Sequence, residues 1–230
     1  MCQITPHAGP AAPAALPREV LDLLPDGPAE KDALSLALSR LPASILNHSL
    51  RVFIYARAFH QDGGKANESA DSVSALFVAC VLHDIGTSTD YDTKPERFEV
   101  VGADEADRVL RSRGDVPNEL IRDAWLAIAL HTSPHIAERI EGLVRAVRLG
   151  VRVDFSSHPL PSPDYLPEHL RTKEAVESVL PRLEIEQELG DSIVRQALQN
   201  PDKAPRSSWP GGLLRSQQED PEWDGVNKAF

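Results

Sequence analysis

Cysteine is nearly absent: the 230 residues contain only Cys2 and Cys80. One falls in a proline-rich terminus and the other in an apolar helical run. That placement excludes a disulfide framework and leaves a reducing cytosol as the simplest compartment. No apolar run approaches the roughly 18–20 residues that a membrane span requires. The first basic residue is Arg18, so neither a charged signal-peptide start nor an Arg-rich transit peptide is legible. A soluble, cytoplasmic protein is the expectation. Positive charge is also short, with 24 Lys and Arg against 35 Asp and Glu and a net charge of −11. A phosphate backbone would be repelled, and the arginines read as scattered among acids, so nucleic acid is an unsuitable partner. Neither alternating apolar stretches nor Asn-Gly turns occur, which excludes a β-hairpin architecture, and no internal repeat is visible.

What is present is helical periodicity. KDALSLALSRL places leucines at 34, 38 and 41, one face of a helix that Pro42 interrupts. ASILNHSLRVFIYARAFH, 43–60, is the next helix. A loop with Asn67 or Ser69 as cap leads to ADSVSALFVACVLHD, apolar all round and therefore a core helix. RFEVVGADEADRVLRSRG follows, stopped by Gly114; then come NELIRDAWLAIALHT and, after Pro134, IAERIEGLVRAVRLGVRVDF up to about Asp154. The four prolines of SSHPLPSPDYLP demand a loop, and two weaker helices fit 166–180 and 191–199. The expected organisation is a flexible arm at 1–17, an all-α core over 18–200, and an extended, partly packed segment at 201–230. The arms could embrace a neighbouring subunit in a homo-oligomer.

Chemistry concentrates in VLHDIGT, residues 81–87, where His83 and Asp84 end the apolar helix and Gly86 lets the chain turn away. His48 shares the apolar face of its helix with Ile45, Val52 and Tyr55. Asp154 closes the apolar run RLGVRV. Taken singly, each has an ordinary role: a hydrogen-bonded core histidine, a polar plug, a helix cap, or a partner for Arg152. Taken together, two imidazoles and two carboxylates beside apolar segments suit one divalent metal in a helical bundle.

The order H…HD…D over residues 48–154 resembles the HD-domain superfamily of metal-dependent enzymes. NHSLRVFIYA, LHDIGT, RFEVVGADEA, AIALHTSPHIA and RLGVRVDF are similar to its cyanamide hydratase-like branch. The resemblance implies an HD helical bundle whose His48, His83, Asp84 and Asp154 hold one metal ion, Zn²⁺ in that branch. Fe²⁺, Mn²⁺ or Ni²⁺ would accept the same ligands. Two-metal members add two histidines. Phe98 stands at the place of the first and His131 at that of the second, which argues for a mononuclear site and frees His131 for proton transfer.

The implied reaction is hydration of a small nitrile-like substrate such as cyanamide, with metal-activated water adding to carbon and an acid protonating nitrogen. His131 is the acid–base candidate, although a histidine also suits the C-terminus of its helix. Glu99 could orient a ligand or substrate, or serve as a first-turn carboxylate. Thr87, Phe98, His135 and Arg51 are the substrate-binding candidates; the plainer roles of Thr87, His135 and Arg51 are a turn residue, a surface residue and a helix ion pair. Tyr91, Trp125 and the 155–165 loop would shape the rest of the wall. Two rival classes stand beside this one. A phosphohydrolase would need cations near the metal, for which Arg51 and Lys94 are the visible candidates, and a binding module would keep the metal for structure alone.

Overall fold

Apolar residues spaced three and four apart must bury one stripe, and among the described residues of the computed structural model ten helices do so. It describes residues 16–61, 69–114, 116–156, 158–161 and 165–230. The helices are α1 (Arg18–Leu21), α2 (Pro28–Arg40), α3 (Ala43–Gln61), α4 (Ala70–Leu82), α5 (Phe98–Arg111), α6 (Asn118–Leu130), α7 (Leu143–Phe155), α8 (Lys173–Val179), α9 (Ile185–Gln199) and α10 (Trp209–Glu219). Among the described residues there is no strand, so the all-α expectation holds. Cys2, Asn67 and most of the expected N-terminal arm lie outside the described residues.

Helix α4 is the hub. Every residue from Ala75 to Leu82 is buried, and α2, α3, α5, α6 and α7 all pack on it. Its N-terminus is capped by the Ser69 side chain, which accepts from the Ser72 backbone N–H at 3.2 Å. The window Ala70–Thr87 reaches a mean hydropathy of 1.2 over 18 residues, so one run does have the length and apolarity of a span, contrary to the sequence expectation. Most of that window is buried within the fold and the helix ends at Leu82, which makes it a core helix here.

The most extensive helix pair is α3 with α7. A Cβ on Gly150 would sit 2.7 Å from the Val52 carbonyl oxygen, so the missing side chain is what lets the two backbones approach. Gly86 has the same reason, rather than the turn that the sequence suggests: a Cβ there would lie 2.2 Å from the Phe98 carbonyl oxygen. Gly86→Ala must push α5 away from the HD segment. The expected cost is about 3 kcal/mol, a fall in Tm of roughly 6–12 °C for a chain of this size, readable by calorimetry.

Two boundaries differ from expectation. Gly142 takes φ +76° and separates a short 3-10 turn (Ala137–Arg139) from α7, so the helix expected from 136 begins at Leu143. Within the segment expected to be extended, Trp209–Glu219 is helical. Pro210 in the first turn and the Ser208 side chain, which accepts from the Gly211 N–H, start α10, and α10 packs on α9.

Candidate metal centre

Three elements deliver the polar residues to one buried point. His48 lies in the second turn of α3, His83 and Asp84 follow α4 directly, and Asp154 lies in the last turn of α7. All four are essentially excluded from solvent. One ligand atom from each of His48, His83 and Asp84 falls within 4.8 Å of the others.

Hydrogen bonds on the far side of each ring fix which nitrogen points inward. His83 Nδ1 donates to the Cys80 carbonyl at 2.6 Å, and His131 Nδ1 donates to the Ile128 carbonyl at 2.6 Å. His48 Nδ1 meets Asp154 Oδ2 at 2.7 Å. With Nδ1 carrying the proton, a neutral ring presents only a lone pair at Nε2. Those lone pairs converge. His48 Nε2 is 3.1 Å from His83 Nε2, and His48, His83 and His131 Nε2 lie 3.6, 3.2 and 3.5 Å from the Asp84 carboxylate.

Neither Asp84 oxygen has a hydrogen-bond partner in this geometry, although both are buried. Acceptors facing a buried carboxylate repel one another unless a positive charge lies between them. The titration directions agree. Burial pulls the His83 imidazole down, but the adjacent Asp84 carboxylate outweighs it and leaves His83 above its ordinary value. Asp84 is held well below the usual carboxylate range, since His83 and His131 overcome the burial that would raise it. Burial lowers His48. Nitrogen and oxygen donors around one point fit a divalent cation held by His48, His83 and Asp84.

Asp154 stands behind this group rather than within it. Its Oδ1 accepts from Arg51 Nε at 2.7 Å, and its Oδ2 from Arg51 Nη2 at 2.8 Å as well as from His48. The arrangement is the carboxylate–histidine pairing that orients a ligating ring and raises its basicity. Arg51 therefore neutralises a carboxylate and, fully buried, has no surface for substrate. The Asp154 partner suggested by sequence, Arg152, makes no such contact; Arg182 Nη1 approaches instead, at 3.4 Å from Oδ1.

A model of the HD domain matches residues 45–220, more than half of the chain and the whole stretch that builds this cluster. The chain belongs to the HD-domain family. The curated proteins contain no match to it. HD domains bind divalent metals, and metal-dependent hydrolase-type chemistry is what the family brings to this centre.

In this HD domain the cluster forms the floor of a cleft of about 790 Å³, which His131, Thr132, Ser133, Arg148, Arg152 and Phe155 line together with Trp209 and Phe230. Aromatic rings continue around it. Phe155 is 4.5 Å from the His48 ring and 5.1 Å from Phe230; Phe230 is 5.4 Å from Trp209; Phe98 lies between Trp209 and His131 at 6.3 and 5.7 Å. Phe98 itself is buried and backs His131 without lining the cleft.

The remaining candidates take other positions. Glu99 is buried, pairs with Arg97, and accepts from Thr132 Oγ1 at 2.8 Å, so it fixes the residue that follows His131. Thr87 Oγ1 donates to the Asp84 carbonyl at 2.7 Å and closes the turn after the HD pair. His135 is exposed at φ 66° and does not line the cleft. Tyr91 and Trp125 face elsewhere, under Arg40 and against Asp104. Lys94 lies over Tyr91, and the cations that do line the cleft are Arg97, Arg148 and Arg152.

Sequence reasoning missed Trp209 and Phe230 because a Pro- and Gly-rich segment has no periodicity. It also missed Gln196, which is buried in α9 and donates to the Gly86 carbonyl at 3.0 Å and to Asp92 at 3.0 Å. That side chain straps down the loop behind the HD pair. An isolated glutamine on an amphipathic helix gives no signal of this.

Proposed function

We propose that this protein adds water across the carbon–nitrogen triple bond of a small nitrile-like substrate such as cyanamide, giving urea. The reading rests on the three inward-facing Nε2 atoms around the unpartnered Asp84 carboxylate at the cleft floor. The choice of substrate rests on the resemblance of NHSLRVFIYA, RFEVVGADEA and AIALHTSPHIA to cyanamide hydratase-like proteins. A divalent cation, Zn²⁺ by that resemblance, would polarise water so that it ionises near neutral pH.

The chain's own residues supply the rest. The water oxygen bonds to the nitrile carbon as one bond of the triple bond opens, and two protons must reach nitrogen. His131 is the group that carries them. Its Nδ1 is tied to Ile128, which leaves Nε2 in the cleft beside Asp84, and Arg148 Nη1 donates to the His131 carbonyl at 2.9 Å and fixes its backbone. Phe155, Trp209 and Phe230 give the cleft an apolar wall on one side. His131→Ala should lower kcat by about 10²–10⁴-fold while metal content stays at the wild-type level. Parallel kinetics and elemental analysis check both halves.

A second reading has its own observation. Arg97, Arg148 and Arg152 line the cleft, and phosphoester hydrolysis is common among HD enzymes. Metal-loaded protein offered cyanamide and a panel of phosphomonoesters decides between them. Urea formation that is lost in His83→Ala is the expected result; phosphate release without urea would replace the hydratase reading with the second one.

A further inference from the structure

Helix α7 carries a stripe of cations. Arg145, Arg148 and Arg152 recur at spacings of three and four, and no acidic residue occurs between Gly142 and Val153. The scatter of arginines among acids that the whole sequence suggests fails here. Two of the three line the cleft, and Arg97 joins them. Against these guanidiniums the side chains that line the cleft include one carboxylate, Asp84, already surrounded by three imidazoles. A cationic cleft has thus been built into a chain of net charge −11.

The three arginines are not equivalent. Arg97 is neutralised by Glu99. Arg148 pairs with Glu138 at 2.9 Å and donates to the His131 carbonyl. Arg152 is half-buried in the cleft wall, and among the described residues its guanidinium has neither a carboxylate partner nor a hydrogen-bond acceptor. A guanidinium with no fixed partner in a cleft wall is free to donate charge-assisted hydrogen bonds to a bound anion.

The shape of the cleft adds to this. At about 790 Å³ it belongs to the size class that takes a drug-sized ligand, far more room than three heavy atoms need. Phe155, Trp209 and Phe230 offer flat apolar faces within the same cleft.

We propose that this site, beyond cyanamide, accepts a nitrile that carries a carboxylate, bound by Arg152, on an apolar body that lies against the Phe155–Phe230–Trp209 wall while its reacting group reaches the His48–His83–Asp84 floor. A single free guanidinium matches a single negative charge; a phosphate dianion would leave one charge uncompensated. The inference rests on the cleft being the active site, as proposed above, and names its substrate class.

Binding of 4-cyanobenzoate and of benzonitrile to the metal-loaded protein tests it by calorimetric titration, in the wild type, Arg152→Met and Arg152→Lys. The expected result is a preference for 4-cyanobenzoate of about tenfold or more, abolished in Arg152→Met and partly kept in Arg152→Lys. Equal affinity for the two probes in the wild type would overturn the proposal. So would a preference that survives in Arg152→Met, because the carboxylate would then be held elsewhere. Phenyl phosphate bound through Arg152 more tightly than 4-cyanobenzoate would overturn the assignment of a monoanion. Turnover is scored separately: Arg152-dependent binding without hydration of any nitrile keeps this inference and removes the proposed reaction.

Discussion

Asp84→Asn abolishes metal binding, yet its metal-free form is at least as stable as metal-free wild type. Both halves follow from the same geometry. The Asp84 oxygens are buried without a hydrogen-bond partner, and three imidazole Nε2 atoms face them at 3.2–3.6 Å. Without a cation this is a repulsive arrangement that the fold must carry, because a buried polar group left unpaired costs about 1–3 kcal/mol and a charge costs more. An amide has no charge, and its NH₂ can donate to a neighbouring imidazole. The substitution therefore relieves strain in the empty protein while removing the anionic ligand. Metal affinity should fall by more than about 100-fold, beyond the 10–100-fold typical of losing a residue that only orients a ligand. Asp154→Asn should fall inside that narrower range, since Asp154 stands behind His48. Competition with a chromophoric chelator gives both affinities, and thermal denaturation of the stripped proteins gives the stabilities.

Arg51→Met costs about 3–5 kcal/mol of folding stability, a drop in Tm on the order of 10 °C. Arg51 and Asp154 form a two-pronged pair with both side chains at 0% exposure. Arg51 Nη1 also donates to the Leu180 carbonyl at 3.0 Å, which ties the segment after α8 to α3. Methionine fills much of the volume but leaves Asp154 charged in the interior with His48 as its remaining buried partner. The pH dependence has a definite sign. Burial would raise the Asp154 carboxyl, but hydrogen bonds from Arg51 and His48 hold it well below its ordinary value. The pair's contribution is therefore complete above the unfolded carboxylate pKa of about 3.9 and is lost only as pH falls through the lower, folded value. Removing Arg51 lets the folded value rise, so the variant takes up a proton sooner. The stability gap between wild type and variant should be widest near neutral pH and narrow as the solution is acidified. Denaturant titrations across that range measure it.

The clustering of His48, His83 and Asp84 was legible because its physics is local. His48 shares a helical face with Ile45 and Val52, and His83 and Asp84 end a run too apolar to lie anywhere but the core. Helical periodicity therefore carried them to one place. Asp154, expected as a fourth ligand, pairs instead with Arg51 and His48; the Arg51 pairing joins α7 to α3 across 103 positions, and no local pattern reports that. The cleft wall was less legible still. Trp209 sits in SWPGG, whose proline and glycines read as irregular chain, whereas Ser208 and Pro210 start a helix and Gly211 lets it pass the Pro205 carbonyl, which a Cβ would meet at 2.2 Å. The arginine stripe on α7 was visible in RAVRLGVR, but which arginine lacked a partner depended on Glu138, Glu99 and the Ile128–Thr132 turn.

Metal titration of the stripped protein, followed by calorimetric unfolding at each ratio, tests the central claim most directly. The cluster of His48, His83 and Asp84 predicts one equivalent of divalent ion per chain and a Tm that rises up to that point and then stays level. A chain that takes up no ion, or whose Tm does not respond to it, would contradict the metal centre; two equivalents would contradict a mononuclear one.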